Sequence, residues 1–558
     1  MKETVKKFLP ALLALILVLS AASGCRRDPD PQTPVTQMPS AQEVMNYDWT
    51  KEDITLLIDL HGYMPTINQT PTPDSPNVVT ASRIIAEAFT KLYPNVTIEW
   101  ARSKPVGGLE IDTSQWFITQ IAGGSCPAIA FSWGTAYEER GYYLDLTDYL
   151  NYSNPYVEGY STWKDTFEDY LFNTNTVKQA DGKLVGIPVT LHAGAATGWY
   201  FNEKVVGQAG YTSADVRSAA SNWESFLNLA TDMEQKLDSD YTVLAPWVFC
   251  KTYSLNDWTM QFSIGPAAAA YLNYQGRGGV DYDGDGYTST LEQLRGVKEG
   301  IYNPVRNVYA KDVYYQLKRY FVEQVKTDSG WLTADYTSKW NLGKVAFRSE
   351  LISGLYEMKN DTAFDGTFGV VASPVMSNQT RRWVSSADGA GGSYTGEKLS
   401  YLDDIEYTES GVYQPAGDLI LNIMKSGVTK KDGSIDVGML RAAVEFLRFL
   451  TTPENVSMIV EENGAVLGAV KNTTYNSLLD EVGWMSQRFP KINGSVASWP
   501  LGFTSEMNDA MDRSFTKWVY GELSDDSFFS AVNSYQQSGA DAYIQSFGID
   551  TTGWTIYA

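Results

Sequence analysis

The run ITLLIDLHG (Ile54–Gly62), followed by ASRIIAEAFTKLYP (Ala81–Pro94) and NVTIEW (Asn95–Trp100), decides the fold. The first run has the near-continuous apolar character of a buried strand. In the second, apolar residues recur three and four positions apart, which puts them on one helical face. Pro94 stops that helix, and Val96 to Trp100 read as a second strand. Strand, helix, strand is the unit of an α/β sheet. The alternation continues with a helix around Ser114–Ala122, a strand around Ala128–Ser132 and a helix near Tyr149. No short-period repeat and no long coiled coil interrupts it.

A chain of 558 residues exceeds one ordinary domain, and its 43 % hydrophobic and 13 % aromatic content can build two large cores. The formal charge of −23 excludes nucleic acid as a partner, because phosphates require a basic surface. Three cysteines and two histidines supply neither a disulfide framework nor a zinc cluster. At the N-terminus, Lys2, Lys6 and Lys7 precede an uncharged stretch from Phe8 to Leu19, then Ala21-Ala22-Ser23-Gly24-Cys25. The stretch has the length of a signal-peptide core rather than a membrane span. The segment resembles a bacterial lipoprotein signal, with Ala22 where Leu is usual. It implies a diacylglyceryl group on Cys25; an ordinary secretory signal is the alternative. Residues 26–50, opening with a Pro-rich polar run, read as a flexible tether.

Five ordered landmarks resemble the family 1 extracellular solute-binding proteins, the group that includes maltose-binding protein. They are YPNVTIEW; ITQIAGGSCPAIAFSWG; KLVGIPVTLHAGAATGWYFNEKVV; GKVAFRSELISGL; and AAVEFLRFLTTPENVSMIVEENGAVLGAV. Ala128 stands where the family usually carries an acid. The resemblance implies an α/β, two-lobed, periplasmic-binding-protein-like fold with multiple crossovers between lobes. Lobe 1 is expected over 51–187 and 372–465, and lobe 2 over 188–371 and 466–558. Cys126 and Cys250 then fall in different lobes and do not pair. The implied function is capture of a carbohydrate, an oligosaccharide by the size of the chain, and delivery to an ABC importer permease. The protein is then a monomeric, extracytoplasmic binder tethered to the bacterial membrane, and not an enzyme.

Sugars need aromatic platforms for their C–H faces and polar groups for their hydroxyls. Trp133 follows a strand at the carboxyl end, where α/β sheets receive ligands. Trp258 and Trp499 occupy loops where family members place stacking aromatics, and these three rank first. Trp199 and His192 lie at the first expected crossover. Asp257, Glu350 and Asp418 can accept sugar hydroxyls, and Tyr413 precedes the returning strand. Two alternatives stay open: the same fold binding a peptide or polyamine, and an anchored glycosidase. The second lacks a signature; no Gly-x-Ser-x-Gly, His-Glu-x-x-His or phosphate-binding glycine loop is present.

DYDGDGYTSTLE (281–292) has the spacing of an EF-hand calcium loop. Asp281, Asp283 and Asp285 supply side-chain oxygens, Tyr287 its carbonyl, Ser289 a direct or water-mediated ligand, and Glu292 a bidentate carboxylate. Gly286 permits the turn. The glycine-rich NYQGRGGV before it does not form an entering helix, so the expectation is a lone structural Ca2+ loop. The alternative is an acidic turn that caps the following helix.

Overall fold

The computed structural model describes residues 38–67, 78–101, 113–131, 141–192, 197–245, 279–282, 289–325, 336–351, 366–404, 417–477 and 505–556, apart from a few positions within these ranges and some isolated ones between them. Strands β1 (Ile54–Asp59) and β2 (Val96–Trp100) are parallel neighbours, joined by the helix Ala81–Leu92. That helix buries Ala81, Ile85 and Phe89, one residue per turn, against the sheet. Tyr93 ends it because the following Pro94 disfavours a helical conformation.

The first sheet has the order β12-β4-β11-β3-β1-β2, where β3 is Ile129–Phe131, β4 Ile187–His192, β11 Gly417–Ile423 and β12 Val466–Gly468. β1 to β4 run parallel, while β11 and β12 run antiparallel to them. The helices Val437–Leu450 and Pro453–Asn463 cover it. The second has Thr452 as its cap, Pro453 in its first turn and a left-handed Gly464 at its end, which accounts for the sequence TTPEN…NG.

The second sheet has the order β6-β7-β5-β8, with β5 Thr197–Asn202, β6 Thr242–Ala245, β7 Val345–Leu351 and β8 Phe368–Ala372. β5 is antiparallel to β7 and β8, and β6 is parallel to β7. A hairpin, β9 (Arg381–Ser385) and β10 (Gly392–Lys398), packs on this lobe through Trp383 and Leu399. The helices Trp223–Lys236, Val308–Arg319, Ser505–Val519 and Asp525–Phe547 complete it. Among the described residues, no helix is long and apolar enough to cross a membrane.

The expected lobe boundaries move. All of β4 belongs to the first sheet, so the chain leaves lobe 1 after His192 rather than at Ile187. The return expected at Ala372 comes after Asp404, because β9 and β10 stay with lobe 2. β12 joins the first sheet through β4, and Val470 lies in the same core, so lobe 1 extends beyond residue 465. The flexible tether expected to residue 50 is shorter. Ser40 makes a capping box with Glu43 at the helix Ala41–Met45, and Val44 and Trp49 are buried in lobe 1. The helix expected near Tyr149 is a 3-10 turn, Tyr149–Asn151.

Candidate ligand cleft

The first-lobe wall begins where β1 ends. Asp59 is buried there, and its carboxylate accepts the His61 amide N–H at 2.9 Å. His61 opens a 3-10 turn with a left-handed backbone (φ 52°), and its ring stacks on Phe131 of β3 with centroids 4.5 Å apart. A side-chain-bearing residue held at positive φ is a local cost that the surroundings must enforce. Two residues on, the Tyr63 hydroxyl donates to the Asp418 carboxylate, and so does Thr190 at 3.0 Å. Burial first, and the Asp418 charge second, push the Tyr63 pKa well above that of an ordinary phenol, so the group stays a donor. These residues come from the carboxyl ends of β1, β3 and β4 and the amino end of β11. The strand directions put all four on one edge of the sheet.

The second-lobe wall is the matching edge of the other sheet. Glu350, near the carboxyl end of β7, pairs with Arg348 at 2.8 Å and lies opposite Gly198 at the start of β5. Only residues 193–196 separate the end of β4 from the start of β5. Such a link spans about 18 Å at full extension, so the carboxyl edges of both sheets lie close together. Leu467 packs against both cores.

No family model and no curated protein sequence matches the chain. Solved structures do match over nearly their whole length. A chitin oligosaccharide binding protein aligns with a TM-score of 0.54 at 14 % identity, covering 87 % of this chain and 99 % of its own. RafE in complex with raffinose aligns at 0.51 and 14 %, covering 87 % and 99 %. A sugar transporter from Bacillus licheniformis in complex with stachyose aligns at 0.50 and 16 %, again covering 87 % and 99 %. The chain has the two-lobed fold of the sugar-binding solute-binding proteins.

In this solute-binding fold, the residues expected from sequence fall into three groups. Glu350 and Asp418 stand on the two carboxyl edges, and the backbone of His192 ends β4, facing Val466. Trp199 is a correction: it is 1 % exposed and packs on Phe226 in the second core, 5.4 Å between centroids, so it is not a ligand platform. Trp133, Trp258, Trp499, Asp257 and Tyr413 lie outside the described residues, as do Asp283, Asp285, Tyr287, Cys25 and Cys250. Asp59, His61, Tyr63, Phe131 and Thr190 were not expected. The signal for three of them was present: Asp-Leu-His-Gly-Tyr sits at the carboxyl end of the first strand, the position α/β sheets use for ligands.

At the calcium-loop sequence, Glu292 is engaged with the backbone. Its Oε1 accepts from Tyr282 N–H at 2.7 Å, and its Oε2 accepts from Ser289 N–H at 2.8 Å. Ser289 Oγ in turn accepts Glu292 N–H, which makes a capping box on the helix Thr290–Lys298. Asp281 is also buried.

Proposed function

We propose that this protein captures a carbohydrate between its two lobes and presents it to the permease of an ABC importer, tethered outside the membrane by a lipid on Cys25. The observation that carries the reading is the meeting of the two carboxyl edges across residues 193–196. One edge offers Asp59 and His61, and the other offers Glu350. Carboxylates accept sugar hydroxyls, imidazole adds a donor, and flat rings match C–H faces. The sugars named for the neighbouring structures agree with that chemistry. Trp133, Trp258 and Trp499 are the stacking residues we assign to this cleft, with Asp257, His192 and Tyr413 as polar or edge contacts. The protein acts as a monomeric binder, not as a catalyst. The test is thermal melting against a panel of oligosaccharides, followed by calorimetric titration of those that stabilise. A ligand at a hundred times its Kd adds about 2.7 kcal/mol. A shift with peptides or polyamines and none with sugars overturns the reading, and so does steady hydrolysis of a glycoside. Cys25→Ser should release the protein from the cell surface; unchanged retention removes the anchor.

The sequence 281–292 is assigned to Ca2+. The assignment rests on the complete ligand spacing; the Glu292 carboxylate, which accepts the Tyr282 and Ser289 N–H groups in the capping box, would turn from them to the ion. Asp281, Asp283, Asp285, Tyr287, Ser289 and Glu292 would hold the ion, which would neutralise the crowded carboxylates. The flanking helix Thr290–Lys298 packs on the C-terminal helix through Lys298–Asp541 at 2.7 Å, so the ion's role is structural. Calcium should raise the melting temperature and chelator should lower it. Asp281→Ala should abolish that difference and leave ligand preference intact. Equal melting in both conditions, with no metal in the purified protein, assigns the sequence to helix capping alone.

A further inference from the structure

Two crossings between the lobes are rooted in the first lobe at the end of β4 and the start of β11. The ladder between these strands is irregular at that point. Gly417 faces Leu191 and Leu419 faces Thr190, which leaves Asp418 as an extra residue on β11. A bulge of this kind re-aims the extra side chain. A second irregularity follows, where Ile420 faces Pro188, so that a residue without an N–H is accommodated inside a strand paired on both sides.

The re-aimed Asp418 carboxylate collects three segments. It accepts the hydroxyl of Thr190, two residues before β4 ends, and the hydroxyl of Tyr63, in the turn that follows β1. Thr190 is fully buried, and its Oγ1 also accepts the Leu419 N–H at 3.1 Å, fixing β11 to β4 beside the bulge. One side chain thus ties the departing strand, the returning strand and the turn carrying His61 into one rigid unit.

We propose that Asp418, with Tyr63 and Thr190, is a positioning clamp that fixes the first-lobe roots of the crossings and sets the balance between open and closed lobes. The proposal rests on the reading of the cleft as a carbohydrate site. When only a fraction of the protein is competent to bind, every ligand loses affinity by the same factor. Loosening the clamp therefore weakens all sugars alike, whereas removing a direct contact reorders them.

The experiment measures affinities for the sugar panel in Tyr63→Phe, Asp418→Ala, Asp418→Asn and the Tyr63→Phe/Asp418→Ala double variant. It adds distance distributions between spin labels at the exposed positions Lys91 and Gln235, one on each lobe, in ligand-free protein with the native cysteines replaced. Tyr63→Phe and Asp418→Ala should each weaken every sugar about tenfold with the rank order kept. The double variant should be no weaker than Asp418→Ala alone, since that variant has already lost the Tyr63 bond along with the Thr190 one. Asp418→Asn keeps an acceptor oxygen and should bind close to wild type. The label distribution should broaden in Tyr63→Phe, which keeps its ring and serves if Asp418→Ala does not fold. A changed rank order, or distances as narrow as in wild type, overturns the clamp. If the wild-type protein binds no sugar, the carbohydrate reading fails, and the label distances alone decide on the clamp.

Discussion

Arg319 is enclosed in the second lobe, 1 % exposed, and makes a two-point contact with Glu224 at 2.8 and 3.0 Å. Glu224 also accepts Arg381 Nε at 2.6 Å and the Arg381 amide at 3.0 Å. Burial alone raises a carboxyl pKa, but the two guanidinium groups outweigh it, and the Glu224 pKa lies below the usual value. Removing one partner of a buried pair strands the other charge, so Glu224→Gln should cost about 3 kcal/mol in urea unfolding. A depressed carboxylate pKa gives stability that is complete above the unfolded value, about 4.3, and is lost as pH falls through the folded one. The gap between wild type and Glu224→Gln should therefore be full near pH 6 and shrink below about pH 4. Such a pair is illegible in sequence, because Glu224 and Arg319 are brought together by tertiary packing. Trp199 misleads for a related reason. Trp199, Tyr200 and Phe201 are all buried, so β5 has no polar alternation to tell which face meets solvent.

At the scale of elements, the β9–β10 hairpin is held by particular clasps. Arg382 binds Asp312 through its Nε and Nη2, each at 3.1 Å, and Lys318 reaches Ser385 and the Gly389 carbonyl at the hairpin's turn. The turn also touches the loop after the helix Ser505–Val519. Gly521 has φ 76°, and a Cβ there would come within 2.7 Å of the Ala390 nitrogen. Gly521→Ala should cost about 1–3 kcal/mol from the backbone conformation alone. Amide exchange over residues 381–398 should quicken more than in β1 or β3. The elements themselves were largely legible. The Ile54, Ala81 and Asn95 runs became β1, a helix and β2 with small shifts at their ends. The lobe boundaries were not, because they depend on which strand pairs with which. Gly186-Ile187-Pro188 reads as an exit, yet the sheet absorbs Pro188 in an irregular register. Nothing local reveals that β12 returns to β4.

Among the described residues the two largest apolar cores lie one in each lobe, and Leu467 is the partly buried residue that packs against both. Cores with so little in common melt as separate cooperative units. Scanning calorimetry of the ligand-free protein should resolve two transitions. A ligand held between the lobes should raise them and draw them together, since it binds only when both are folded. The two-lobed architecture was legible in the ordered landmarks of the sequence. The cluster at the root of the crossings was not, because Tyr63, Thr190 and Asp418 are far apart in the chain and meet only through the bulge in β11.

The helix Ala81–Leu92 starts on the carboxyl side of β1, where its free N–H groups and positive dipole end would ordinarily invite an anion. Glu462, at the end of another helix, already occupies them. Its carboxylate accepts Thr80 N–H and hydroxyl at 2.6 Å and Ala81 N–H at 3.1 Å. A dissolved phosphate or carboxylate would have to displace a rival that is covalently present at high effective concentration, on a protein of net charge −23. An uncharged solute meets no such competitor. The molecule carries its own counter-ion, and that helix end is closed to an anionic solute.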